Sequence, residues 1–255
     1  VKPSSKVPNS MQYFFKLIDE ELKLPSGVIN LVNAPHQSVE AFYDHPNLKG
    51  ITSVTSTSVG REIFNKAGKA GKRSLCQAGA LCFSVLTDSG NIDKAAKSSL
   101  TSYFGCSGQR CLSNQIFLVF EGVAEKFKEI MVDYAKSFKT GYGLDETVGV
   151  GPMVDTAAKE KVINHIESAL VDGMDVLLDG RDVEAQGLPD DCFIGPTILH
   201  GLDMDMEVAQ EEIFGPVMLI KEIGSLAEGI EIINNHRMGN ATTIYTENGH
   251  EAREF

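Results

Sequence analysis

The sequence predicts an α/β fold built on a parallel sheet, and two observations carry that expectation. Short apolar runs of strand length alternate with stretches whose apolar residues recur at helical spacing. Strand, helix, strand, helix in units this short implies parallel strands joined by helical crossovers. Neither an internal repeat nor a low-complexity tract interrupts the alternation.

Residues 9–22 place Met11, Phe14, Phe15, Ile18 and Leu22 at helical spacing. Residues 28–32 read as a short buried strand and 39–43 as a short helix. Gly50–Val54 reads as a strand, with a helix over 58–67 behind it. A soft boundary falls near Gly79, where a glycine-containing strand end leads into a new unit, so the chain divides into 1–79 and 80–255. In the second part residues 116–120 read as a strand. Residues 122–138 read as an amphipathic helix with Val123, Phe127, Ile130, Met131 and Tyr134 on one face. Asp155 can cap a helix running to Val171 with Val162, Ile163, Ile166 and Leu170 inward, and Gly173 sits at its expected stop. Further strands are expected at 176–178, Val217–Ile223 and Thr242–Tyr245.

Composition narrows the function classes. With 255 residues, 42% of them apolar, the chain can bury a sizeable core. A formal charge of -12 repels phosphate backbones and anionic lipid, so no nucleic-acid or membrane partner is expected. No apolar run reaches the roughly 18 residues of a membrane span. The five cysteines are odd in number and form no Cys-x-x-Cys pair, which argues against a disulfide framework or a metal site. A reducing compartment is the natural reading: the cytoplasm, or the mitochondrial matrix in a eukaryote. The chain has no initiator methionine, and residues 251–255 stop inside an apparent helix, so it reads as an internal fragment.

Three segments could carry chemistry. In Gly105-Cys106-Ser107-Gly108-Gln109-Arg110-Cys111 two glycines loosen the backbone, and Arg110 puts a cation beside Cys111 in sequence. If that cation also lies close in space it favours thiolate, a nucleophile fit for a carbonyl carbon. A buried, inert thiol satisfies the same spacing. In Thr55-Ser56-Thr57-Ser58 a strand runs into a hydroxyl-rich turn that opens a helix, an arrangement suited to phosphate and equally to plain capping. Glu211-Glu212-Ile213-Phe214-Gly215-Pro216-Val217 offers a carboxylate for sugar hydroxyls and an aromatic for a flat ring, but it also fits a helix end, a turn and a strand.

Taken together, in order and with their approximate spacing, these segments resemble the aldehyde dehydrogenase superfamily. Lys2-Pro3-Ser4 is similar to its Lys-Pro-Ser/Ala strand end, and residues 24–32 to its Leu-Pro-x-Gly-Val-x-Asn-x-Val stretch. Gly108-Gln109-Arg110-Cys111 resembles its Gly-Gln-x-Cys nucleophile motif. Gly195-Pro196-Thr197-Ile198 and Glu211–Val217 resemble two more signatures. The resemblance implies part of a Rossmann-type dinucleotide-binding domain over 1–79 and a truncated α/β catalytic domain over 80–255. It implies Cys111 as the nucleophile of a thiohemiacetal and thioester. It assigns Lys2, Ser56, Gly79, Glu212 and Phe214 to the cofactor, which is NAD, with NADP left open because Ser5 stands where many members carry a glutamate. A small aldehyde as substrate and a homodimer or homotetramer of the full-length protein follow from the same resemblance. It also places the asparagine of the oxyanion hole before residue 1 and the subunit-joining segment after residue 255, so weak catalysis is expected of this chain alone.

The departures are informative. Thr55 replaces the glycine of the phosphate turn, where its side chain would crowd a pyrophosphate. Cys76-Gln77-Ala78-Gly79-Ala80-Leu81-Cys82 aligns with Glu-Leu-Gly-Gly-Lys-Asn, so Gln77 stands where the family's general base belongs. An amide has no useful proton affinity near neutral pH. Acyl release then falls to a stronger nucleophile such as the thiol of coenzyme A, as in the methylmalonate-semialdehyde dehydrogenase branch, or it is crippled. Two readings stay open: a coenzyme A-acylating dehydrogenase, and a catalytically impaired relative that keeps the fold for binding or structure.

Overall fold

The computed structural model describes residues 1–185 and 192–255, with His36 described by its backbone alone. The chain divides into two compact units, Val1–Ala78 and Gly79–Phe255. Both are α/β.

The first unit opens with helix α1 (Pro8–Leu17), continued by a π-turn over Ile18–Leu22, and then α2 (Glu40–Asp44). Strand β1 (Gly50–Val54), helix α3 (Thr57–Lys69) and strand β2 (Arg73–Gln77) follow. The two strands pair in parallel, Gly50 opposite Arg73 and Val54 opposite Gln77, so α3 is the crossover. A small core of Tyr43, Ile63 and Ala67 holds α3 against the sheet.

Residues 28–32 correct the sequence reading: they form no strand. Gly27 turns the chain at φ +87°, and Val28 N–H closes the turn on Pro25 O at 3.3 Å. Beyond it the backbone bonds to Val1, through Val32 N–H to Val1 O at 2.9 Å and the Val1 ammonium to Asn30 O at 2.6 Å. Two contacts make no ladder, and Val28, Ile29 and Val32 stay exposed. Apolar patterning marks a strand only where a sheet edge is there to receive it.

The second unit is a six-stranded mixed sheet. Its strands are β3 (Cys82–Leu86), β4 (Asn114–Phe120), β5 (Asp175–Leu178), β6 (Thr197–His200), β7 (Val217–Ile223) and β8 (Thr242–Tyr245), in the order β5-β6-β7-β4-β3-β8. Only the β5–β6 pairing is antiparallel. Because both faces are covered, β3 and β4 are buried along almost their whole length rather than at alternate residues. Ile116 and Leu118 of β4 face a core that includes Val162 and Ile166 of α6 (Thr156–Val171). Phe117 and Val119 face the opposite core with Phe127 and Met131 of α5 (Glu121–Ser137) and Ala95 and Ala96 of α4 (Ile92–Ser99). Phe117 centres the second layer, stacked on Tyr103 at 5.8 Å and tilted against Phe127 at 4.4 Å. Asp155 caps α6 through the Ala158 N–H at 2.9 Å, and Gly173, at φ +100°, ends it.

α7 (Glu207–Gln210), α8 (Leu226–Asn235) and α9 (Gly249–Glu254) complete the unit. Among the described residues no helix is long and apolar enough to cross a membrane.

Candidate active site

Cys111 sits on the turn that enters β4. The chain reaches it through three successive left-handed residues: Cys106 at φ 53°, Ser107 at 55° and Gly108 at 66°. Two of these are not glycine, and such a conformation persists only where neighbours fix it. Ser107 Oγ donates to Gly151 O at 2.6 Å, and Gln109 Oε1 accepts from Val154 N–H at 2.9 Å. The segment 151–154 thus straps the turn from one side. On the other side, a Cβ on Gly108 would overlap the carbonyl of Gly215, so only glycine lets the two loops touch backbone to backbone.

The peptide of Cys111 is held from beneath. Its carbonyl accepts from Asn240 Nδ2 at 2.9 Å and from Cys82 Sγ at 3.4 Å. Its thiol is free and half-buried. Arg110 does not serve as the neighbouring cation suggested by its place in sequence. Its guanidinium donates to the carbonyls of Thr101 and Ser102 and to Ser113 Oγ, which fixes the turn rather than facing the thiol.

Glu212 and Phe214 stand on the loop between α7 and β7. Together with Ala80, Gly108, Arg110 and Gln115 they line a small hollow beside the Cys111 turn. Burial pushes the Glu212 carboxyl above its ordinary value, while the Ala80 N–H and the charge of Lys161 pull the other way. Phe214 is 41% exposed and adopts a left-handed φ of 57°, which turns its ring outward.

Sequence reasoning missed the group that aims this loop. Cys82 pairs with Asn114 and Phe83 with Ile116, so Gln115 is the extra residue of a β-bulge. Its buried amide donates to Val208 O and Glu211 O at 2.9 Å each and accepts from Ile213 N–H at 2.9 Å. Lys161 Nζ adds a bond to Glu212 O at 3.1 Å, and Arg237 pairs with the Glu211 carboxylate at 2.5 Å. The polar pair Asn114-Gln115 opening an otherwise apolar strand was the available signal.

All of these groups lie at the amino ends of the parallel strands, on the loops entering β3, β4, β7 and β8. Open α/β sheets usually bind ligands at the carboxyl ends; the candidate groups gather at the opposite edge.

Lys2, Ser56 and Gln77 belong to the first unit, Cys111, Gly79, Glu212 and Phe214 to the second. Lys2 Nζ donates to Pro3 O at 3.0 Å. Ser56 is the N-cap residue of α3, yet its side chain makes no capping bond; its hydroxyl pairs with Ser58 Oγ at 3.3 Å. The Ser56 side chain therefore does not cap this thirteen-residue helix, whose start suits an anion. Thr55 Oγ1 donates to Ser56 O at 3.2 Å. Gln77 ends β2, exposed, with its carbonyl accepting from Thr55 N–H at 3.0 Å.

The model of the aldehyde dehydrogenase family matches residues 1–255. The human mitochondrial methylmalonate-semialdehyde/malonate-semialdehyde dehydrogenase [acylating] is 34% identical over 255 residues, covering 100% of this chain and 47% of the relative. The crystal structure of methylmalonate-semialdehyde dehydrogenase from Oceanimonas doudoroffii superimposes with a TM-score of 0.96 at 30% identity, covering 100% of this chain and 52% of that one. A Sinorhizobium meliloti 1021 structure complexed with NAD gives 0.95 at 30% identity over 99% of this chain and 52% of its own. The chain thus spans about half the length of the curated relatives it matches. It belongs to the aldehyde dehydrogenase family.

Proposed function

We propose that the protein oxidises an aldehyde with NAD(P) through a thioester on Cys111 and releases the acyl group to coenzyme A. The observation that carries this reading is the half-buried Cys111 thiol, set on a turn whose peptide is pinned by Asn240 and Cys82. Relatives named as acylating semialdehyde dehydrogenases support the same reading.

Cys111 Sγ bonds to the carbonyl carbon and converts the aldehyde to a thiohemiacetal. The Cys111 N–H stabilises the oxyanion. NAD(P), when bound, would supply the hydride acceptor, the hydroxyl proton of the thiohemiacetal leaving to solvent as the thioester forms. Ser56 and the start of α3 are the groups suited to the pyrophosphate, with Lys2 and Gly79 assigned to the cofactor by resemblance. The Glu212 carboxyl, with Phe214 beside it, suits the nicotinamide ribose hydroxyls. Once the thioester has formed, a thiol bonds to its acyl carbon and the Cys111–carbon bond breaks. With Gln77 in the place of a base, water is a poor substitute for that thiol.

The full-length protein is read as a homodimer or homotetramer of a reducing compartment, the cytoplasm or the mitochondrial matrix. NAD is the favoured cofactor, with NADP as the alternative that Ser5 leaves open.

Malonate semialdehyde oxidation by the full-length protein, followed by NADH absorbance with and without coenzyme A, tests the proposal. Turnover that requires coenzyme A and disappears in Cys111→Ser is expected; a rate indifferent to coenzyme A overturns the acylating step. A second reading rests on Thr55, Gln77, Leu81 and Cys82, four departures from the family's motifs. If neither NAD nor NADP raises the melting temperature, a binding or structural role replaces the catalytic one.

A further inference from the structure

Besides the nucleophile itself, one other thiol is directed at the Cys111 turn. Cys82 opens β3, is fully buried, and points its Sγ at the Cys111 carbonyl from 3.4 Å. The Cys82 thiol therefore lies against the peptide of the residue that carries the second thiol. Asn240 donates to the same carbonyl at 2.9 Å. The two thiols differ in access: Cys111 is half-buried, Cys82 is sealed. Cys106, exposed on the left-handed turn, and Cys192 are the natural competitors.

We infer that Cys82 and Cys111 form a peroxide-responsive dithiol pair, in which Cys111 takes the oxidant and Cys82 closes a disulfide over it. In the first step the Cys111 sulfur bonds to one oxygen of hydrogen peroxide. The O–O bond breaks, and the other oxygen leaves as water with the thiol proton, giving Cys111 sulfenic acid. In the second, Cys82 Sγ bonds to the Cys111 sulfur, the S–O bond breaks, and hydroxide leaves as water with the Cys82 proton. Two thiols lose two electrons, and peroxide takes both. Burial pushes the Cys82 thiol above its ordinary value, with the Ala241 N–H offsetting part of this, so Cys82 is a poor first target and remains available as the resolving partner. Closure blocks the nucleophile reversibly and keeps it from irreversible oxidation to sulfinic acid.

The test uses the 255-residue chain and a few equivalents of hydrogen peroxide, followed by alkylation, trypsin and mass spectrometry. Cleavage after Arg73, Lys94, Arg110 and Lys126 places Cys82 in peptide 74–94 and Cys111 in peptide 111–126, with Cys106 in a third. Fragment ions separate Cys82 from Cys76, which shares its peptide. The expected product links 74–94 to 111–126 through Cys82 and is released by dithiothreitol. A Cys111 bridge to Cys106 or Cys76, or sulfinic acid at Cys111 with Cys82 still alkylated, overturns the proposal. In Cys82→Ala, trapping of Cys111 sulfenic acid by dimedone rises several-fold; unchanged trapping in a folded variant also overturns it. The peptide map of the unsubstituted chain decides the matter if that variant does not fold.

Discussion

Gly108 and Gly215 meet backbone to backbone, and this contact joins the Cys111 turn to the loop that carries Glu212 and Phe214. Both loops are left-handed where they meet: Gly108 has φ +66° and Phe214 φ 57°. The shape of the hollow therefore depends on two residues that have no side chain to contribute. Gly108→Ala would place a methyl group on the Gly215 carbonyl in a conformation that disfavours any Cβ. We expect a loss of about 3 kcal/mol from overpacking and left-handed strain together, read as a lower urea midpoint at unchanged m-value. Cys111 alkylation by iodoacetamide should change rate in the same variant, because the turn must shift to fit the methyl group.

Gln115 makes a second prediction. Gln115→Leu keeps most of the volume but leaves Val208 O, Glu211 O and Ile213 N–H without their partner. With about 1–3 kcal/mol for each buried group left unpaired, a net loss of about 3 kcal/mol is expected after partial relaxation. Hydrogen exchange localises the effect: the Ile213 amide should exchange faster by at least tenfold, while amides in the middle of α5 slow or quicken only with global stability.

How much of this was legible in the sequence depends on where each element draws its stability. β4, α5, α6 and β7 announced themselves because their apolar residues recur on the faces that the two cores cover. β2, β3, β6, α4 and α8 went unmarked. β2 is short and alternates Arg73, Ser74, Leu75, Cys76 and Gln77, a pattern too polar to stand out. α8 carried a signal that was passed over, since Ser225 caps it through Glu228 N–H at 3.2 Å and Glu228 lies three residues on. In the site, Cys111, Glu212 and Phe214 were found by motif. Asn240, Cys82 and Gln115 touch the same two loops from β3, β4 and the entry to β8, and no local pattern shows which strand ends will be neighbours. Arg110 failed in the opposite way: adjacent in sequence to Cys111, it is turned onto Thr101 and Ser102.

Asp155 gives a calibrated control far from the thiol chemistry. Its carboxylate accepts from Ala158 N–H at 2.9 Å at the start of α6. Asp155→Ala should cost about 1 kcal/mol in urea denaturation. Asp155→Ser should recover most of it, since a hydroxyl can take the same bond.

The far end of the sheet makes the pH prediction. Lys128 of α5 reaches Glu222 of β7 at 2.9 Å and Glu125 at 2.5 Å, and His200 of β6 meets Glu222 at 2.8 Å. The Lys128 hydrogen bond holds the Glu222 carboxyl below its ordinary value, and His200 adds to this. A depressed folded pKa contributes stability that is present above the unfolded value, about 4.3 for glutamate, and is lost as pH falls through the folded one. The urea midpoint should therefore fall on acidification below about pH 4.3, and Glu222→Gln should flatten that fall. Lys128→Met leaves Glu222 beside His200 without its main partner. A cost of about 2 kcal/mol at pH 7 is expected, below the 3–5 of a fully buried pair because Glu222 is 32% exposed.

Gln77 makes the prediction that bears most directly on the fate of an acyl group at Cys111. It stands at the exposed end of β2, in the position where the family's motif carries a glutamate. An amide cannot take a proton from water, whereas a carboxylate can, and general-base catalysis contributes about 10²–10⁴ in rate. Cys111 can be acylated directly by an activated ester such as p-nitrophenyl propionate, so that no cofactor is needed, and the decay of the acyl-protein is followed by intact mass. In the natural sequence the acyl group should persist in buffer and leave quickly when coenzyme A is added. In Gln77→Glu its lifetime in buffer should shorten by at least tenfold, with a bell-shaped or rising pH dependence that the parent lacks, while decay with coenzyme A changes little. Equal lifetimes in parent and variant, with both folded and both acylated at Cys111, would remove Gln77 from the chemistry and leave the preference for a thiol acceptor to be explained by access to Cys111 alone.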